Sequence, residues 1–311
     1  MTKIAVLTLI DMNPNKLGAL EEYALCLSKE LTKSGHLAVV GFSELPPRWL
    51  EEKFRFHGIE VIKINMKNGA LAFIKEIRKT IIKHNLTFVH ATFYPFYSPL
   101  LILATIRTGC KLIYSDQESR ESRPLQGFKN SFRCLRNRFY QIFIHAIIAD
   151  AQFIKQCQIQ DHFTKENKLT TIYNGVNLQR FKKSGTNQRS ELLQKFQVSP
   201  NSFVIATIAQ CTWGKGLNYL IDAAAIIVKQ HPNSIFFVIG DGPERPKLEQ
   251  QAISLKLKDN IIFTGMRVDT ENFLSAADVF VLLSVWEEAF AFSLLEAMAS
   301  SCPITHLLLR G

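Results

Sequence analysis

Residues 278–299 read D-V-F-V-L-L-S-V-W-E-E-A-F-A-F-S-L-L-E-A-M-A. Val279 to Leu283 is a short apolar run that suits a buried parallel strand, whereas Phe292, Leu295, Met298 and Ala299 recur at the spacing of a helix face. Glu288 falls on the turn between them and Glu296 on the helix. Eight positions of unbroken helix would rotate one carboxylate about 80° from the other, so the two converge only if Glu288 lies in the loop that enters the helix. Such loops stand at the carboxyl ends of parallel strands, where open α/β sheets bind ligands. Two readings stand at this point: a pair of acids converging on a ligand, or two solvated glutamates on a helix face.

The same alternation runs outward along the whole chain. Strands are predicted near 3–9, 37–42, 59–64, 86–91, 110–115, 144–149 and 168–173, then near 203–208, 235–239, 260–264 and 278–283, with amphipathic helices between them. Alternation of this kind predicts an α/β protein whose parallel sheets are covered on both faces. The 311 residues, 47% hydrophobic and 21% charged, supply two cores. Between the two series Lys182 to Gln188 is polar and loop-like, which predicts domains over 1–180 and 181–311. The Ile4 to Ile10 run has no small-residue cleavage pattern and reads as a first strand, and no apolar run reaches the roughly 20 residues that span a bilayer. Six scattered cysteines show neither zinc spacing nor a disulfide frame, which fits a cytoplasmic protein.

Two Rossmann-like halves joined by a short linker imply a cleft, a common place for a ligand. Gly214-Lys215-Gly216 follows the first strand of the second half and opens a helix with apolar Leu217, Leu220, Ile221 and Ala224. A lysine in the first turn opposes the helix dipole. It reads either as a phosphate contact or as a solvated surface lysine. A dinucleotide fingerprint is excluded, because Gly240 and Gly242 are followed by Arg245 where the third glycine belongs. The histidines form no metal spacing, and no Ser/His/Asp or Cys/His order stands out. His90 ends an apolar strand and reads as a substrate contact or a satisfied core histidine.

Taken together, Tyr173-Asn174-Gly175-Val176-Asn177 with Phe181, Gly214-Lys215-Gly216, Gly240-Asp241-Gly242-Pro243, Phe263-Thr264-Gly265, Ala276-Ala277-Asp278 and the glutamate pair resemble glycosyltransferase family 4 in order and spacing. Gly18-Ala19-Leu20-Glu21 and Ser34-Gly35-His36 resemble the family's N-terminal glycine-rich loop and strand entry. The resemblance implies a GT-B fold, with an acceptor domain facing a nucleotide-sugar domain, and sugar transfer with retention of configuration. It implies no cofactor and no metal, a nucleoside-diphosphate sugar as donor and a glycan or lipid-linked acceptor. On that resemblance Lys215 contacts the diphosphate, Glu288 with Ala289, Phe290, Ala291 and Phe292 holds the donor sugar, and Glu296 binds the ribose. Met266, Arg267 and Val268 would receive the base, and Gly18 would approach the phosphates.

Several positions depart from the pattern. Gln210 stands where the family has an arginine that joins the lysine, and one such electrostatic donor commonly contributes on the order of 3 kcal/mol to the barrier. Ser115-Asp116-Gln117 replaces a T-x-H, so Gln117 cannot carry a proton and Asp116 is the candidate substitute. Ala289-Phe290-Ala291 replaces G-F-G, and Ser301 replaces a glycine. From Thr305 the family pattern is lost, which predicts truncation or a frameshift, an incomplete and poorly stable second domain, and the alternative of a catalytically inactive remnant that retains nucleotide or partner binding.

The net charge of +10 leaves room for an anionic partner, although no nucleic-acid recognition motif accompanies it. Phe128, Phe132, Leu135, Phe139 and Phe143 recur at helical spacing beside Lys129, Arg133, Arg136 and Arg138. The expected arrangement packs this apolar stripe on the sheet and leaves the arginines in water. The competing one lays the helix on an anionic membrane, at its inner face.

Overall fold

The computed structural model describes residues 3–15, 17–65, 69–117, 128–183, 185–286 and 288–306. Among them, those up to Tyr173 form one compact unit and those from Asn174 onward a second. The first unit contains β1 (Ala5–Ile10), α1 (Ala19–Lys33), β2 (Leu37–Phe42), α2 (Arg48–Phe56), β3 (Glu60–Lys63), α3 (Ala70–His84) and β4 (Phe88–Thr92). It continues with α4 (Pro99–Thr105), β5 (Lys111–Asp116), α5 (Phe128–Tyr140), β6 (Ile144–Ala149), α6 (Gln152–Gln160) and β7 (Leu169–Thr171). Its parallel sheet runs β3-β2-β1-β4-β5-β6-β7. All six residues of β1 are buried, as a strand at the centre of a two-faced sheet must be. Helices α1 and α2 cover one face, packing Ala24, Leu50 and Phe54 on Ile10, Val40 and Phe42. Helices α3 and α4 bring Phe73, Ile77, Ile81, Leu101 and Ile102 to the other, where Tyr140 at the end of α5 also packs.

The second unit contains α7 (Thr186–Lys195), β8 (Phe203–Ile208), α8 (Leu217–Gln230), β9 (Ser234–Ile239), α9 (Arg245–Ser254), β10 (Ile261–Gly265), α10 (Thr270–Ala276), β11 (Val279–Leu282), α11 (Phe292–Ala299) and β12 (Ile304–His306). The sheet order is β10-β9-β8-β11-β12, again parallel. Each unit therefore reverses direction beside its first strand, at β1/β4 and at β8/β11, and such reversals open a crevice at the strand ends. Residues 174–183 fold with the second unit, because Phe181 is fully buried among Leu274, Phe280 and Ala297 and Arg180 pairs with Glu271 at 2.9 Å.

One addition and one departure stand beside the expectations. A further strand, β12, pairs in parallel with β11 as far as His306, opposite Leu282; residues 307–311 lie outside the description. Most of the predicted apolar stripe does not pack on the sheet: Phe132, Leu135 and Phe139 are exposed and Asn137 is buried in their place, while Phe143, beyond the end of α5, packs against the core. Asn137 and Gln141 find backbone partners at His162 and Phe163, and those hydrogen bonds decide which way the helix faces. The side chains at 128, 129 and 133 lie outside the description.

Candidate functional site

Backbone hydrogen bonds stitch the carboxyl ends of β10, β9, β8 and β11 into one rim. The Gly240 amide donates to the Gly265 carbonyl (3.0 Å), the Cys211 amide to the Asp241 carbonyl (3.0 Å) and the Val285 amide to the Gly214 carbonyl (2.9 Å). Contacts this close require glycine. At Gly216, whose φ is +63°, a Cβ would overlap the Leu283 carbonyl oxygen, and at Gly240 (φ +142°) it would overlap that of Ala209. A Cβ on Gly214 would run into the Trp286 ring.

Two of the sequence-predicted residues meet on this rim. Lys215 lies in a 3-10 turn after β8, and its Nζ is 2.5 Å from the Glu288 Oε1, contributed by the loop after β11. The pair spans the β8/β11 reversal, and both side chains stay partly exposed, at 25% and 18%. The Ser284 hydroxyl donates to the same carboxylate oxygen. Sequence reasoning missed Ser284; its signal is a hydroxyl placed just after a buried apolar run, four residues before the glutamate. Gly216 caps α8 without any side-chain bond, so the first amides of that fourteen-residue helix follow Lys215 directly. An anion placed there would meet the lysine, those amides and the positive end of the helix dipole together.

The remaining predicted residues of this unit surround the pair without all converging on it. Glu296 lies in the second turn of α11, partly exposed, and Ala289 is buried beneath the loop that leads there. Phe290 and Phe292 stack edge to face at 5.8 Å, with Ala291 between them as the N-cap. Gln210 is exposed on the loop after β8. Met266 and Val268 are exposed after β10, at 53% and 59%, while Arg267 turns back onto Asp269 through two bonds of 2.8 and 2.6 Å and lies over the Phe273 ring. Among the described residues no group of three or more His, Cys, Asp or Glu is placed to hold a metal ion.

In the first unit the polar groups on β4 and β5 are buried. His90 is buried, with its Nε2 2.7 Å from the Ser115 hydroxyl, and burial holds its pKa down to about 4. Tyr23 approaches the imidazole at 6.2 Å between ring centroids and also hydrogen-bonds Ser115; burial raises the pKa of its phenol. Asp116 is fully buried and accepts from the Gln158 amide, which in turn accepts from Thr164 (2.9 Å), itself paired with the Tyr97 hydroxyl (2.7 Å). Gln117 is buried beside it in sequence. Gly18 caps α1, and its amide donates to the Glu21 carboxylate at 3.0 Å.

Two family models match the chain: glycosyl transferases group 1 over residues 188–305 and Glycosyltransferase Family 4 over residues 20–180. The chain belongs to glycosyltransferase family 4. As a family 4 glycosyltransferase it is 31% identical over 153 residues to the UDP-Gal:alpha-D-GlcNAc-diphosphoundecaprenol alpha-1,3-galactosyltransferase of Escherichia coli, a match covering 48% of this chain and 39% of that enzyme. It is 32% identical over 143 residues to an alpha-monoglucosyldiacylglycerol synthase of Acholeplasma laidlawii, covering 45% and 36%. The matched stretch thus spans about two fifths of the length of these curated relatives. Among solved structures, a glycosyltransferase of Rickettsia africae superposes with a TM-score of 0.79 at 21% identity, covering 98% of this chain and 79% of the other. HepE of Anabaena, solved with UDP and glucose, superposes at 0.78 and 23%, covering 97% and 80%. The fold of this family 4 chain is therefore GT-B, with two Rossmann-like units.

Proposed function

We propose that the protein is a retaining glycosyltransferase that moves a sugar from a nucleoside-diphosphate sugar to a glycan or lipid-linked acceptor at the cytoplasmic face of a membrane. The observation that carries the reading is the meeting of Lys215 and Glu288 on a glycine-lined rim at the β8/β11 reversal. As the bond from the sugar C1 to the diphosphate breaks, negative charge gathers on the leaving oxygen. Lys215 and the first amides of α8 are the groups that would stabilise it, and no metal or cofactor is needed in this scheme. We assign Glu288 and the Ala289–Phe292 backbone to the donor sugar and Glu296 to the ribose diol. Exposed Met266 and Val268 take the base, and Arg267 shapes their loop through Asp269. The resemblance assigns Gly18 to the donor phosphates, and Asp116 and Gln117 stand where the family places a histidine beside the transferred sugar; His90, on the neighbouring strand, is a further candidate substrate contact. A relative named for transfer from UDP-galactose, and a structural neighbour solved in complex with UDP-glucose, support a uridine donor.

A second reading, a binder that no longer catalyses transfer, draws support from particular residues. Gln210 adds no positive charge beside Lys215, and Asp116 and His90 are both buried and engaged by neighbours. Calorimetry with uridine, guanosine and adenosine diphosphate sugars tests the donor site. At least one should bind, and Glu296→Ala should weaken it about 100-fold through loss of charge-assisted bonds to the diol. No binding across the panel, or binding indifferent to Glu296→Ala, would sink the proposal. Release of free nucleotide only when an acceptor is supplied separates transfer from binding alone.

A further inference from the structure

Helix α5 is inside out. Phe132, Leu135, Phe139 and, just past its end, Ile142 follow one another at steps of three and four residues, and each is between 56% and 72% exposed. The opposite face is polar and buried. Asn137 Nδ2 donates to the His162 carbonyl at 3.3 Å, Gln141 Nε2 donates to the Phe163 carbonyl at 2.9 Å, and the Lys165 amide donates back to the Gln141 Oε1 at 3.0 Å. Rolling the helix to bury its apolar stripe would carry both side-chain amides into water and take these partners from the His162 and Phe163 carbonyls and the Lys165 amide. The stripe is therefore held outward by the hydrogen bonds behind it.

Exposed Arg136 and Arg138 border the stripe, and no aspartate or glutamate occurs anywhere from Phe128 to Ala149. We propose that this face of α5 docks on an anionic lipid bilayer, with the phenylalanines and aliphatic side chains entering the interface and the arginines meeting lipid phosphates. Charge selects this occupant over a second copy of the chain, because a two-fold contact would set arginines against arginines. A helix of thirteen residues is about 20 Å long, suited to lying in the interface. Among the described residues no helix is long and apolar enough to cross a membrane. Helix α3, over the same sheet face, repeats the chemistry with exposed Leu71 and Ile82 beside Lys75 and Lys79.

The surface deepens the lipid-linked form of the acceptor reading and is testable apart from it. The full chain is floated with phosphatidylglycerol–phosphatidylcholine vesicles and with phosphatidylcholine vesicles alone. It should float with the former, less so as salt is added, and not with the latter. Arg136→Glu combined with Arg138→Glu should lower partitioning by about fivefold for each arginine removed. Phe132→Ser with Phe139→Ser should lower it at least as far, with circular dichroism checking that each variant folds. Three outcomes overturn the proposal: no flotation with anionic vesicles, equal flotation with both compositions, or flotation untouched by both variants. Self-association that the phenylalanine variant abolishes would assign the face to a second copy and overturn it too. Loss of vesicle binding with nucleotide-sugar binding intact condemns the docking surface alone, and the reverse pattern condemns the donor reading alone.

Discussion

The two sheets share an order and use their carboxyl ends in opposite ways. In the first unit β4 and β5 carry polar groups that are buried, His90, Ser115, Asp116 and Gln117, and the hydrogen bonds of Ser115 and Asp116 run to Tyr23 and Gln158. In the second unit the strand ends carry glycines whose missing side chains let loops close up, and Lys215, Glu288 and Glu296 remain partly exposed above them. One topology thus supplies a buried polar cluster in one copy and an accessible charged rim in the other. The difference arises from where glycine falls, not from how the strands are ordered.

The largest effect is expected from breaking the open rim. Gly216→Ala places a methyl group against the Leu283 carbonyl at a backbone angle that disfavours alanine, so both the loop and the start of α8 must shift. We expect a stability loss of about 3 kcal/mol and loss of measurable nucleotide-sugar affinity; a variant that melts and binds like the parent would show the rim to be looser than described. The buried cluster is probed by pH. His90 has a folded pKa of about 4 against an ordinary value near 6.5, so it is neutral in the folded chain and its contribution is fully present above pH 6.5. That contribution is lost as pH falls, on the order of 2 kcal/mol between pH 7 and pH 5. Melting curves of the parent and of His90→Gln should diverge in their acid slopes, and parallel slopes would remove His90 from the account.

The smallest effect compares how the units end a helix. Gly35 follows α1 at φ +79°, and Ser301 follows α11 at φ +55°. The Ser301 amide bonds the Met298 carbonyl and the Cys302 amide bonds the Ala297 carbonyl, both at 3.0 Å, the paired bonds of a left-handed helix end. A serine there bears conformational strain that glycine lacks, partly offset because glycine has more freedom to lose on folding. Ser301→Gly should stabilise by roughly 0.5–1 kcal/mol, and Gly35→Ser should cost a similar amount, both read from thermal unfolding.

The strands from β1 to β11 were legible in the sequence to within one or two residues, because continuous apolar runs bounded by turns have few alternatives in a parallel sheet, whereas the short β12 was not foreseen. Glu288 on a loop and Glu296 on a helix were legible for the same reason. The contact between Lys215 and Glu288 was not, since it joins loops 73 residues apart and depends on β8 and β11 being neighbours. Periodicity showed that α5 has an apolar stripe but could not show which side is covered. That choice was made by carbonyls at 162 and 163, remote in sequence from Asn137 and Gln141. The neighbours of His90, Ser115 and Tyr23, were not legible either, since they come from other elements of the sheet and its covering helix.

The contact between Lys215 and Glu288 also governs how mutagenesis of this rim must be interpreted. Each residue is the other's counter-charge, so substituting either one removes its own proposed ligand contact and also takes the counter-charge from a partly buried partner. Single-site losses will therefore overstate what each side chain gives to a ligand. Only a double-mutant cycle resolves how much of the effect belongs to the sugar nucleotide and how much to the coupling between the two residues.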